Sequence, residues 1–443
     1  MAPSSSRTNF VETASLSETL HAMQDQQHSL SVYMDELNRR VDEVDPTVCA
    51  FLPEPNRRTR LREEIGELRQ RRASGEALPL YGATVGVKDI FHVEGFVTRA
   101  GTDLPPQLFA ASEGPPVRKL RDAGALIMGK TVTTEFAYFE PGPTRNPVNI
   151  NHTPGGSSSG SAAAVAAGLC TLALGTQTIG SVIRPAAFCG IVGYKPSLGR
   201  IDPEGLVYFS RTIDHVGLFT QDVAGMALAA AVLCADWKSA PAEERLPVLG
   251  VPDGPYLAQA DEDALRNFEE QVLMLQVAGY DVKRVAALED IAELNDLHRS
   301  LVFAEFAQEH ARWFDDFEGL YRPRTLEAIE AGRRVTDGEL EAARAHCLVL
   351  RDELTAQMDA EEIDLWVCPP AVGEAPIGIE ATGDPNMNQP WTHAGLPAVT
   401  VPAGIGEAEM PLGLQLIARF GQDEELLSWA EEIATHTGEA PYE

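Results

Sequence analysis

Apolar residues recur at helical spacing through positions 14–50 (Leu16, Leu20 and Met23, then Val32, Leu37, Val41 and Val44), which predicts a pair of amphipathic helices. Arg57–Arg72 is dense in charge and reads as a third helix on a solvated face. From Tyr81 the pattern shortens to an apolar run, Thr84-Val85-Gly86-Val87-Lys88-Asp89, the mark of a buried strand. A helix over Val117–Ala123 and a strand over Ala125–Met128 follow. Residues 224–360 have ordinary helical composition, broken by a strand at Pro247–Val251 and a sheet edge at Asp281–Val285. Strands at Leu365–Cys368, Ala398–Val401 and Gly413–Ile417 alternate with Gly/Pro loops before a last helix, Glu424–Thr435. Strands alternating with helices predict an α/β fold, a mixed sheet with helices on both faces. The chain shows no repeat of fixed period and no Pro/Ser-rich linker. The expected organisation is an N-terminal helical arm over 1–75 and one catalytic domain over 76–443, with a helical insertion at about 240–360.

Composition narrows the functional classes. Of 443 residues, 35 are basic and 66 acidic, a formal charge of −31 that disfavours nucleic acid and anionic membrane surfaces as partners. Six scattered cysteines contain no C-x-x-C pair, which argues against a zinc site or a disulfide framework and fits a reducing compartment. Met1–Asn9 is polar and lacks the apolar core of a signal peptide, and the longest apolar stretch, Ala162–Leu174, is too short to span a bilayer. A cytoplasmic enzyme acting on a small molecule is the expectation.

One segment differs from all the rest. Residues 154–199 are rich in Gly, Ser and Ala, and up to Pro196 carry only Arg184 and Lys195 as charges. A Gly/Ser loop that opens an Ala-rich helix offers free backbone N–H groups and a positive dipole end. A second turn, Thr178–Ser181, can aim several N–H groups at one spot beside a serine, the geometry that stabilises a tetrahedral oxyanion. Lysine serves as the base for a serine if burial disfavours its charged form, and Lys88 lies in an apolar strand. A neutral Lys88 could then deprotonate Ser157, which deprotonates Ser181.

Three strings carry a family resemblance: Gly155-Gly156-Ser157-Ser158-Ser159-Gly160-Ser161, Gly175-Thr176-Gln177-Thr178-Ile179-Gly180-Ser181, and Gly86-Val87-Lys88-Asp89. They resemble the hallmarks of the amidase signature family, and Ser181 follows Ser157 by 24 residues, the spacing usual there. Gly129-Lys130-Thr131, Glu135-Phe136-Ala137, Phe188–Pro196 and Asp214-His215-Val216-Gly217 extend the match, which runs from about Leu80 to the C-terminus and is weakest over 240–360. The resemblance implies the amidase signature fold, with Ser181 as acyl-enzyme nucleophile, Ser157 as relay and Lys88 as base. It also implies an oxyanion hole from the N–H groups of Thr178, Ile179, Gly180 and Ser181, and neither metal nor organic cofactor. Ser158 is expected to help orient Lys88. Phe136 and Tyr138 are assigned to the acyl pocket, with core packing as the alternative. Gln177, the string from Ser181 to Pro185, Thr382–Pro385, Trp391-Thr392 and Ile417–Gly421 look most like malonamidase-type amidases, where the arginine matching Arg184 binds a substrate carboxylate. Ile179 departs from the family pattern, which has glycine there; a β-branched residue fits positive φ poorly, so the turn needs an ordinary φ.

Other readings stay open. Carbamate and ester hydrolysis share the same tetrahedral chemistry. The chain could be the amidase subunit of a multi-subunit amidotransferase, or a non-catalytic binding protein on an amidase scaffold. A homodimer supported by the N-terminal arm is a family-level expectation. His152 and His215 are the histidines to weigh as conventional bases. A formal P-loop string, Gly124–Thr131, has apolar central residues and reads as a buried strand rather than a phosphate cradle. Lys130 and Lys195 are expected to be structural, Lys195 at a strand end.

Overall fold

The computed structural model describes residues 8–25, 29–238 and 245–438, so most of the Met1–Asn9 reading lies outside the described residues. Ten strands form one sheet: β1 (Thr84–Lys88), β2 (Leu126–Thr131), β3 (Leu172–Gln177), β4 (Val192–Lys195), β5 (His215–Thr220), β6 (Leu249–Asp253), β7 (Val282–Ala286), β8 (Leu365–Cys368), β9 (Ala398–Ile405) and β10 (Pro411–Ile417). Their spatial order is β2-β1-β3-β5-β4-β9-β10-β8-β6-β7. The sheet is parallel at both ends, β2-β1-β3 and β8-β6-β7, and antiparallel between. Helices cover both faces, so strands such as β1, β2 and β3 are buried along their whole length, which is why they read as continuous apolar runs. The string Gly124–Thr131 is indeed strand β2, and the Asp281–Val285 segment is the edge strand β7.

The N-terminal helices lie at Leu16–Gln24, Leu30–Val48 and Arg57–Ala73. Leu16 and Leu20 join the main core beside the sheet, whereas Met34, Val41 and Val44 pack in one cluster with Ala162–Ala166. The charged third helix keeps one buried stripe of Leu61, Ile65 and Leu68. Over 245–360 the long helices are Glu262–Val277, Ile291–His310, Pro323–Gly332 and Asp337–Ala360. Among the described residues, no helix is long and apolar enough to cross a membrane.

The Ala-rich helix, Ser159–Ala166, is buried at every position. Gly160 shows why small residues are needed: a Cβ there would meet Ala50 O at 2.3 Å and Val132 N at 2.4 Å. This close seat holds the loop before the helix, Gly155–Ser158, against the ends of β1 and β3.

Candidate active site

Strand β1 ends on Lys88, and parallel pairing with β3 (Val87 opposite Leu174) brings Thr176 alongside it. Lys88 Nζ lies 2.8 Å from Thr176 Oγ1 and 2.7 Å from Ser157 Oγ. Its side chain is fully buried. Burial drives its pKa well below the ordinary lysine value, and the charge of Asp214 opposes that shift. Ser157 follows a cis peptide with Gly156 and is itself buried.

The turn after β3 carries Thr178, Ile179, Gly180 and Ser181. The amides of Ile179, Gly180 and Ser181 have no acceptor within hydrogen-bonding distance among the described residues. The carbonyl sides of this turn are held instead. Thr392 Oγ1 donates to Ile179 O at 2.7 Å, and Arg184 N donates to Gly180 O at 3.1 Å. Gln177 Oε1 accepts from Val182 N (2.8 Å) and Ile183 N (3.0 Å), while its Nε2 donates to Thr392 Oγ1 at 2.9 Å. Thr178 Oγ1 donates to Asp214 Oδ1 at 2.5 Å, and Asp214 Oδ2 also accepts from Phe209 N and Ser210 N. Burial raises the Asp214 carboxyl to about 6 against these hydrogen bonds and the charge of Lys88. Gly180 has no room for a side chain, since a Cβ would stand 2.3 Å from Asn388 Oδ1. Ile179 keeps a negative φ, so its β-branched side chain fits the turn without backbone strain.

Ser157, Ser181 and the Thr178–Gly180 turn line one narrow pocket, walled by Ile179, Tyr138, Phe139, Phe209 and Pro385. Arg184 also lines it. The guanidinium is buried; Nη2 donates to Gly156 O at 2.7 Å, whereas Nε and Nη1 have no hydrogen-bond partner among the described residues. Burial lowers its pKa to about 10, with the charge of Asp384 acting against the shift.

Two site assignments are corrected by this geometry. Phe136 is not in the pocket: its ring is buried in an aromatic cluster with Phe109, Phe306, His310 and Tyr321, because the backbone at Phe136 (φ 48°) turns it away from Tyr138. Ser158 does not touch Lys88; its Oγ lies 3.3 Å from both N and O of Thr176 and so braces the strand that carries the lysine's threonine partner. His152 Nδ1 pairs with Ala375 O and His215 Nδ1 with Ile213 O, and neither histidine lines the pocket. Lys130 is tied to Asp89, Phe91 O and Thr98, and Lys195 to Leu396 O at the end of β4. Among the described residues no group of three or more His, Cys, Asp or Glu side chains is arranged to hold a metal.

Several residues were not singled out in the sequence. Thr176 was foreseeable, since it lies just past the stretch of β3 that pairs with β1, on the strand next to Lys88. Asp214 and Thr392 stood in recognised strings without a role. Glu305, which accepts from Ser210 Oγ (2.6 Å) and Thr212 N (2.9 Å) behind the Asp214 loop, had no local signal at all.

Comparison with known proteins identifies the family. The family model described as Amidase matches residues 33–427. One subunit of the glutamyl-tRNA(Gln) amidotransferase from Thermus thermophilus is 33% identical over 452 residues, covering 91% of this chain and 93% of that one. A crystal structure of an amidase superposes with a TM-score of 0.87 at 29% identity, covering 96% of this chain and 100% of the other. The native peptide amidase of Stenotrophomonas maltophilia gives 0.81 at 25% identity, covering 97% and 98%. With a buried lysine, two serines and a row of unpaired amides at the ends of its central strands, the chain belongs to the amidase family of C–N bond hydrolases.

Proposed function

We propose that Ser181 is the nucleophile, Ser157 the relay and Lys88 the base of an amide hydrolase. The observation that carries this reading is the 2.7 Å approach of Lys88 Nζ to Ser157 Oγ beside the pocket that also holds Ser181. A neutral Lys88 donates to Thr176 and turns its lone pair to the Ser157 hydroxyl. Ser181 Oγ then attacks the carbonyl carbon while its proton passes to Ser157 and the Ser157 proton to Lys88. The N–H groups of Ile179, Gly180 and Ser181 receive the oxyanion. On collapse, the C–N bond breaks and the amine leaves with the proton returned through Ser157. Water repeats the sequence on the acyl-enzyme and frees the acid. Carbamates and esters of similar size can follow the same path.

Arg184 gives the substrate a further feature. Two donors left unpaired in a buried guanidinium are costly unless a ligand accepts from them. We assign them to a carboxylate on the acyl or amine portion of a small substrate. The test is turnover of aryl amides, esters, carbamates and malonamate by wild type, Ser181→Ala and Lys88→Ala. Losses on the order of 10⁴-fold in both variants support the triad. Full activity in Ser181→Ala overturns it. Arg184→Ala should then raise KM for malonamate at least tenfold more than for an uncharged amide; equal effects would remove the carboxylate assignment.

A second reading is favoured by the relatives named as subunits of an amidotransferase: the chain would work inside a larger assembly. Ser181-dependent turnover by the isolated chain favours the first reading, and a partner co-purifying at fixed stoichiometry favours the second. We take the chain to be a cytoplasmic enzyme of small molecules, with a homodimer as the self-association that size measurement in solution would reveal.

A further inference from the structure

The pocket around Ser181 is walled by two loops that lie far apart in the chain: Ala137, Tyr138 and Phe139 come from one, Thr382 and Pro385 from the other. The first loop is strained. Phe136 (φ 48°) and Ala137 (φ 61°) are successive non-glycine residues in the left-handed region, a conformation that persists only where the surroundings enforce it. Main-chain contacts supply part of that constraint, with Phe136 N donating to Ala100 O and Tyr138 N to Glu135 O. The rest comes from the start of the Pro323–Gly332 helix, in the segment that carries no family string.

Both ends of the strained loop are tied to that helix start. At one end Glu135 is buried, and its Oε2 accepts from Arg322 N at 3.0 Å and from Thr325 Oγ1 at 2.6 Å. At the other end Glu140 Oε1 accepts from Arg324 N at 2.7 Å, and Arg322 Nη1 donates to Pro141 O at 2.8 Å. Arg324 also joins the two walls. Its Nη1 donates to Phe139 O at 2.8 Å and to Glu380 O at 3.2 Å, just before Thr382. One nitrogen thus bridges both loops. The side chain is exposed and does not line the pocket, so it acts on the walls from outside.

We propose that Arg324 is a positioning residue that sets substrate breadth: by tying Phe139 O to Glu380 O, it holds the two walls at a separation that favours short acyl groups over long ones. A bridge of this kind shifts the balance between a narrow and a wider pocket only by the free energy of its own contacts. Two hydrogen bonds from a guanidinium to carbonyls correspond to roughly a tenfold change. Without them the left-handed pair is free to relax, and Tyr138 and Phe139 can draw away from Thr382 and Pro385. Lys88, Ser157 and the amide row are held by other contacts and keep their geometry. The inference rests on the proposed Ser181 chemistry and gives the helical segment a role in selecting what reaches it.

The experiment is steady-state hydrolysis of p-nitrophenyl acetate and p-nitrophenyl hexanoate by wild type, Arg324→Met, Arg324→Lys and Ser181→Ala. Methionine keeps much of the apolar stem and removes every donor. Lysine supplies one nitrogen with several donors, which can stand where Nη1 bridges the two carbonyls. In Arg324→Met, kcat/KM for the hexanoate relative to the acetate should rise about tenfold, chiefly through a lower KM for the hexanoate, with kcat on the acetate within about twofold of wild type. Arg324→Lys should keep a ratio near that of wild type. An unchanged ratio in Arg324→Met, an equal rise in Arg324→Lys, or a loss shared equally by both esters would overturn the role of Arg324. Full activity of Ser181→Ala on both esters would instead overturn the proposed chemistry, so the two failures are distinct.

Discussion

Lys88 Nζ lies 2.7 Å from Ser157 Oγ with no carboxylate in salt-bridge range of the lysine among the described residues. A buried ammonium without a counter-ion is unfavourable, so the fold shifts this lysine toward its uncharged, basic form. The same burial that prepares a base is a cost to the folded state, because the unfolded chain binds a proton there that the native chain releases.

That cost predicts a stability gain on loss of function. The folded pKa of Lys88 is depressed below its unfolded value, so native Lys88 binds fewer protons than the unfolded chain and stability rises with pH through that window. Lys88→Met removes the titrating group while filling similar space. The variant should be inactive, yet melt a few degrees above wild type near neutral pH. The difference should shrink as pH rises toward the ordinary lysine range. Thermal melts at pH 6, 7, 8 and 9 check this; a variant that melts lower at every pH would show that the lysine is not a strained group.

Asp214 sets where the base titrates. Its negative charge raises the pKa of Lys88, and its own carboxyl titrates at about 6. In Asp214→Asn the amide oxygen can accept from Phe209 and Ser210 while the NH₂ meets Thr178 Oγ1, so the turn should survive. With the charge gone, Lys88 loses its proton more readily, and the acid limb of the kcat/KM profile should move to lower pH. The shift should be evident above pH 6 and fade below it, where Asp214 in wild type is itself neutral. A limb that stays in place, or moves up, would separate Asp214 from the lysine.

The division between what the sequence revealed and what it hid follows the range of the contacts. Lys88, Ser157 and Ser181 were legible because short Gly-rich strings hold each one, and glycine is dictated locally by backbone approach, as at Gly160 and Gly180. Strand β1 was legible because burial on both faces keeps Val85–Val87 free of polar side chains between Thr84 and Lys88. Phe136 and Tyr138 are two positions apart, but only the backbone turn at Phe136 decides which ring meets the pocket, and no side-chain pattern encodes that turn. The 300–350 segment carried no string at all. Its Glu305 meets Ser210 and Thr212, and its His346 meets His393, all through contacts between residues at least 47 positions apart. Such partners are chosen by packing, not by neighbours in the chain.

Ile179 should limit the acyl group. Its side chain forms part of the wall of the narrow pocket that also holds both serines. Ile179→Ala keeps the negative φ and removes three carbons from the wall. For an anilide bearing an acyl group two or three methylenes longer than acetyl, kcat/KM should rise roughly tenfold relative to the acetyl compound, since a methylene in an apolar pocket is worth about 1–3 kcal/mol. An unchanged ratio across an acyl-length series would place the size limit on Tyr138 or Phe209 instead.

Glu305 ties the helical segment to the loop that carries Asp214. It is buried and accepts from Ser210 Oγ at 2.6 Å, Thr212 N at 2.9 Å and Thr212 Oγ1 at 2.5 Å, with Arg344 beside it. Burial raises its pKa, but these donors outweigh burial and leave it below the ordinary glutamate value. A depressed folded pKa means stability that is present above the unfolded value and lost as pH falls through the folded one. Glu305→Ala strands the loop donors and Arg344, a change worth about 3 kcal/mol in comparable buried networks. Urea unfolding at pH 7 should show a loss of that order. The gap to wild type should narrow below pH 4, where the wild-type carboxylate takes up its proton. Because Asp214 is fixed by the same loop, the folded variant should also show a lower kcat. A variant as stable as wild type at pH 7 would mean that the Ser210–Thr212 loop holds its shape, and with it the Thr178 turn, without the glutamate.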